Sequence, residues 1–160
     1  MKSLIAYHSR TGNTKKLAEA IADSLNADIE PIVSDTMGKS WGRLVLEALF
    51  KVHEEIDQTT KDPSSYDVVV VGTPVWSHTM STPVRTYLAK NKSKFKNIAF
   101  FCTYGGSGSE RALKSMESFC GKTVVGTLDI LEKDLKSGEY VEKAKRFATK
   151  IQELQGGYLQ

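Results

Sequence analysis

The sequence predicts an α/β domain, a single-domain three-layer sandwich in which a five-stranded parallel sheet of order 2-1-3-4-5 lies between two helical layers. Three observations carry this. Apolar stretches rich in β-branched residues alternate with helix-period segments along the whole chain. The runs at residues 67–72 and 98–101 are continuously apolar at their centres, as strands buried on both faces are. The stretch at 28–33 is mixed and contains Pro31, which a sheet tolerates mainly at an edge. With that second strand at an edge and every crossover right-handed, the winding reverses between strands one and three, and ligands bind at the carboxyl ends of the strands beside such a switch point.

The elements follow in order. Strands are expected at residues 4–7, 28–33, 67–73, 97–103 and 123–130. The first helix sets Leu17, Ile21 and Leu25 on one face with Ala18 and Ala22 beside them, a stripe that packs on the sheet. Ser81 or Thr82 caps the third, Pro83 sits in its first turn where a missing N–H costs nothing, and Val84, Tyr87 and Leu88 follow on one side. Ala112, Leu113, Met116, Phe119 and Cys120 mark the fourth, and residues 140–154 the last, with Gly121 and Gly156 as stops. Between strands two and three, an extended connection at about 34–62 carries Trp41, Leu44, Val45, Ala48, Leu49, Val52 and Ile56 at helical spacing. Leu46 and Phe50 fall off that stripe and are expected to be ordinary, partly buried residues, the alternative being a partner surface or a lid over the ligand.

At 160 residues and 40% hydrophobic content, residues 1–160 suffice for one domain with a real core and not for two. A net charge of +3, from 22 basic against 19 acidic side chains, is not the excess of a nucleic-acid binder. No leader pattern opens the sequence and no apolar run approaches the roughly 20 residues that span a bilayer, so a cytoplasmic protein without an integral membrane segment is expected. Cys102 and Cys120 lack CxxC or metal-type spacing and are expected to be buried thiols, with no metal site.

Chemistry concentrates in three loops. Ser9-Arg10-Thr11-Gly12-Asn13-Thr14 joins the first strand to the first helix, and its hydroxyls, free N–H groups and helix dipole suit a phosphate dianion. The second loop runs over residues 73–79 and the third over 103–109. Trp76, just beyond an apolar strand, reads as a large exposed aromatic with something to cover, the alternative being a Trp packed under its own loop. A receiver domain is disfavoured because the first strand ends in Tyr7-His8-Ser9 rather than an acidic cluster, and a cysteine phosphatase because Cys102 and Arg111 are too far apart. A GxGxxG fingerprint and a Walker A loop are both missing.

Taken together, Ser9 to Thr14, Gly72-Thr73-Pro74-Val75-Trp76 and Cys102-Thr103-Tyr104-Gly105-Gly106-Ser107-Gly108 resemble the phosphate loop and the two ring-clasping loops of the flavodoxin family. The resemblance implies bound FMN. Ser9, Thr11 and Thr14 would hold the phosphate with their hydroxyls, Gly12 would permit the turn, and Asn13 would stabilise it or donate. Arg10 would add charge or face solvent. Trp76 and Tyr104 would meet the isoalloxazine ring, while Thr73, Pro74, Val75, Thr103, Gly105, Gly106 and Gly108 would bring backbone groups to its edge and ribityl chain. His78 would tune the ring or remain a solvated loop residue, and His8 and His53 have no evident catalytic task. No side chain is required as a general base or nucleophile.

The chain departs from familiar flavodoxins in two ways. Those carriers are strongly acidic, whereas the pI here is near 8.8. Many also have a glycine beside the ring whose peptide turns on reduction, and residues 73–78 contain Pro74 and no glycine. The resemblance implies an electron carrier serving a redox partner protein or a small electron donor or acceptor. An NAD(P)H-dependent quinone or flavin reductase on the same fold is the alternative.

Overall fold

A parallel sheet lies between two helical layers in the computed structural model, which describes residues 1–34, 39–50 and 54–156. The strands are β1 (Ser3–Tyr7), β2 (Asp28–Pro31), β3 (Val68–Trp76), β4 (Thr79–Met80), β5 (Ile98–Tyr104) and β6 (Val124–Leu131). The helices are α1 (Asn13–Leu25), α2 (Trp41–Leu49), α3 (Thr82–Asn91), α4 (Ser109–Cys120), α5 (Glu132–Ser137) and α6 (Tyr140–Gly156). The parallel strands run β2-β1-β3-β5-β6, the predicted order once the short β4 is set aside. Pro31 is the last residue of the edge strand β2 and pairs with Tyr7; the Ile32 N–H beyond it still donates to the Tyr7 carbonyl at 2.7 Å, so the missing proline N–H falls on the open edge.

The sixth strand was not expected. β3 does not stop at Thr73 but continues through Pro74, Val75 and Trp76, then turns back so that Val75 pairs with Met80 and Trp76 with Thr79. The turn residues Ser77 and His78 have φ of 48° and 62°, the left-handed pair a tight hairpin needs. Asn-Gly is the usual sequence signal for that turn, and Ser-His does not give it.

Val68 to Val71 and Ile98 to Phe101 are fully buried at the centre of the sheet. On one face, Leu17 and Ile21 of α1 pack with Phe147 and Ile151 of α6. On the other, Val84 and Leu88 of α3 pack with Met116 of α4. Each such Leu or Ile contributes roughly 1.5–3 kcal/mol relative to exposure. Gly121 stops α4 in the left-handed conformation, and α6 reaches Gly156, the last described residue. α5 is an additional short helix.

The connection from β2 to β3 differs most from expectation. α2 ends at Leu49; Val52 and His53 lie outside the described residues, and Ile56 packs on the α3–α4 side from a non-helical stretch. Leu44 is fully buried against Trp76, but Trp41, Leu46, Leu49 and Phe50 are 55%, 54%, 54% and 78% exposed. The expected partial burial of Leu46 and Phe50 is therefore corrected. The helix meets the body chiefly along the line through Leu44, leaving its outer face in water.

Candidate functional site

The carboxyl ends of β1, β3 and β5 bring the three loops together. In the first, Gly12 takes φ 94° at the N-cap of α1, and its N–H donates to Ser9 Oγ at 3.1 Å, closing a tight turn. The first turn of α1 has no acidic residue and no side-chain cap, so nothing in the helix itself neutralises its positive end. Ser9 and Asn13 are half-buried and Thr11 is exposed, which leaves them available to a ligand. Thr14 differs: it is 1% exposed, and its hydroxyl lies 2.8 Å from that of Thr103, which is 2% exposed. That bond ties the first loop to β5, a link that residues far apart in sequence do not advertise. The donor set suits a phosphate dianion.

In the second loop, Thr73 is fully buried, and its hydroxyl accepts the Ser81 N–H at 2.9 Å, fastening β3 to the start of α3. Pro74 and Val75 remain half-buried. In the third, Tyr104 is half-buried and Gly105 and Gly106 are exposed, so the main chain is open to close approach. Gly108 has φ 95° at the N-cap of α4, and a Cβ there would collide with the His78 ring. His78 Nε2 lies 3.2 Å from Ser107 Oγ, so His78 bridges the second and third loops rather than standing free in solvent.

Trp76 is not the exposed aromatic the sequence suggests. It is 1% exposed, with its ring in edge contact with His8 (5.7 Å, 88°) and Trp41 (6.2 Å, 79°). The strand extension carries it inward, and α2 closes over it through Leu44. His8 is 4% exposed, and its Nδ1–H donates to the Ile32 carbonyl at 3.0 Å because that oxygen can only accept. Its Nε2 is a buried lone pair with no hydrogen-bond partner among the described residues. Burial pushes the imidazole below its ordinary pKa, against the opposing influence of the Ile32 carbonyl. A cleft of about 330 Å³ opens beside the first loop, lined by His8, Ser9, Arg10, Gly12 and Lys15 with the end of β2.

The sequence allows a lid or a partner surface on the α2 connection but indicates none of its contacts with the first loop. Arg10 Nη2 donates to the Lys39 carbonyl at 3.2 Å, and the guanidinium sits 5.9 Å from the centre of the Trp41 ring. Lys39 Nζ in turn reaches Glu47 at 3.0 Å and Glu54 at 2.9 Å. Glu54 also accepts from Thr82 Oγ1 at 2.8 Å, and its carbonyl accepts from Thr86 Oγ1 at 2.6 Å. Arg10 is thus tied to α2 rather than free in solvent. Cys102 and Cys120 are buried free thiols as expected, and burial pushes the Cys102 thiol well up. Among the described residues, no helix is long and apolar enough to cross a membrane, and no cluster of His, Cys, Asp and Glu could hold a metal.

Comparison with known proteins bears on this arrangement. Among solved structures, the chain is similar to a flavoprotein from Lactobacillus acidophilus NCFM in complex with FMN, at 27% identity and a TM-score of 0.72, over 87% of this chain and 97% of that one. A protein from Bacteroides eggerthii DSM 20697 assigned as a flavoprotein aligns at 25% identity and a TM-score of 0.71, over 85% and 94%. Oxidised flavodoxin 2 from Bacillus cereus, at 20% identity and a TM-score of 0.61 over 96% and 99%, shares the fold. No curated protein gives a significant match. The family model described as Flavodoxin matches residues 2–145, and with the three loops assembled at the switch point of the sheet, the chain belongs to the flavodoxin family.

Proposed function

We propose that this protein binds FMN non-covalently at the three-loop site and serves as an electron carrier between redox partners. The observation that supports it most directly is the convergence of an uncapped helix N-terminus, a hydroxyl-bearing turn and open glycine backbone at adjoining strand ends. Ser9, Thr11, Asn13 and the N–H groups around Gly12 hold the phosphate, while Thr14 braces that loop against Thr103. The backbone of residues 73–75 and 103–106, with Gly108, lies along the ribityl chain and the ring edge. Tyr104 flanks the ring, and Trp76 backs the site from within. When bound, FMN supplies the redox chemistry. The protein orients it, excludes water and surrounds it with fixed dipoles, and no residue needs to act as a base or nucleophile.

The open space above Gly106 favours a second reading, an NAD(P)H-dependent quinone or flavin reductase with room for a nicotinamide beside the ring. Titrating the purified protein with FMN and then mixing it anaerobically with NADH or NADPH separates the two. A carrier binds FMN and is bleached slowly by nicotinamides alone, rapid bleaching identifies the reductase, and no binding at micromolar concentration sinks both. Thr11→Ala removes an exposed hydroxyl and should weaken FMN several-fold while sparing riboflavin, which has no phosphate; equal losses would remove Thr11 from the phosphate site.

A further inference from the structure

We infer that Trp41, on the α2 connection, is the aromatic that meets the flavin ring, with Trp76 as the buried buttress behind it; this deepens the FMN reading and rests on it. A ring-contacting aromatic needs a face open to the site and a position within ribityl reach of the phosphate loop. Trp76 fails the first condition at 1% exposure, whereas Trp41 is 55% exposed. Trp41 meets the second through Arg10, a phosphate-loop residue whose guanidinium lies 5.9 Å from its ring centre. The two indoles stand nearly perpendicular, 79° apart with centroids at 6.2 Å, so Trp76 supports Trp41 edge to face and fixes its tilt.

The helix that presents Trp41 is held in place. Leu44, one turn along, is fully buried against Trp76. Lys39, just before the helix, joins Glu47 on it to Glu54, and Glu54 is bonded to Thr82 of α3. Arg10 is bonded to the Lys39 carbonyl. α2 is therefore fastened to both the phosphate loop and the helix that follows the second loop, as a wall of the site would be.

The test titrates FMN and riboflavin into the wild-type protein and into Trp41→Leu, Trp41→Phe and Phe50→Ala, following affinity and the fluorescence of the bound flavin. Trp41→Leu should weaken both ligands by the same factor, about three- to tenfold for an aromatic contact, and should brighten the bound flavin by removing a contact quencher. Trp41→Phe should restore most of the affinity. Phe50→Ala, at a 78% exposed position beyond the end of α2, should change neither readout. If the wild type binds FMN while Trp41→Leu matches it in affinity and brightness, the assignment is overturned and the FMN reading stands. Lost affinity with unchanged flavin fluorescence and no rescue by phenylalanine also overturns it, since Trp41 would then only cover Trp76. A wild type that does not bind FMN overturns both.

Discussion

The hydroxyl pair of Thr14 and Thr103 offers a sharp test of how the site is assembled. Both side chains are buried, and their oxygens are 2.8 Å apart. Thr14→Val keeps the shape and removes one partner, leaving the Thr103 oxygen dry and without this bond. Such an orphan costs about 1–3 kcal/mol, because the lost bond is compounded by uncompensated desolvation. For a chain of this size that corresponds to a Tm drop on the order of 3–10 °C. Thr103→Val should behave alike. The double variant replaces both hydroxyls by methyl groups of similar shape, leaves no orphan, and should lie closer to wild type than either single variant. Urea denaturation of the four proteins measures the cycle. If the two losses add within about 0.5 kcal/mol, the hydroxyls are not coupled and the bracing role assigned to Thr14 fails.

Further consequences follow from other contacts. Leu44→Ala removes the fully buried anchor of α2 and should lower stability by about 2–3 kcal/mol in urea melts, the low end for a Leu because this part of the surface can relax; a loss below 0.5 kcal/mol would mean that α2 is not docked through Leu44. Gly108→Ala places a Cβ against the His78 ring at a positive φ and should lower Tm by several degrees, whereas Gly106→Ala meets nothing within 4 Å and should leave it unchanged; equal Tm values for both would contradict the wedged geometry of His78. His8 is buried in its neutral form with its pKa below the ordinary 6.5, so the unfolded chain binds the proton more readily. Its stabilising contribution is complete above about pH 6.5 and is lost as the pH falls through that value toward the folded pKa. Urea midpoints between about pH 7.5 and 5.5 should therefore fall more steeply for the wild type than for His8→Gln, and parallel slopes would show that His8 is not the group responsible.

The parts of the fold fixed by burial were legible in the sequence. The valines of β3 and the phenylalanines of β5 have no polar alternation because helices cover both faces, and Pro31 marks an edge because a central strand would need its N–H. The tight turn of the first loop was legible because its signals are local, with hydroxyls, glycine and helix start within six consecutive residues. What escaped was long-range. Nothing near Thr14 indicates that its hydroxyl meets Thr103. Trp76 looked exposed because its cover, Leu44 and Trp41, comes from a segment some thirty residues earlier. The β4 hairpin escaped for a different reason, since Ser77 and His78 are poor turn formers held at positive φ by tertiary contact with Gly108 and Ser107.

That turn sets thermal endurance against the coupling of two loops. Two L-residues in the left-handed region cost on the order of 1 kcal/mol each, where Asn-Gly would sit with little strain. A laboratory selecting this chain for heat resistance would be drawn to that replacement. Accepting it would delete the His78 link to Ser107 and remove a bond between the second and third loops of the proposed site. The strained pair is thus a poor place to seek robustness, and a good place to loosen the clasp without touching the core.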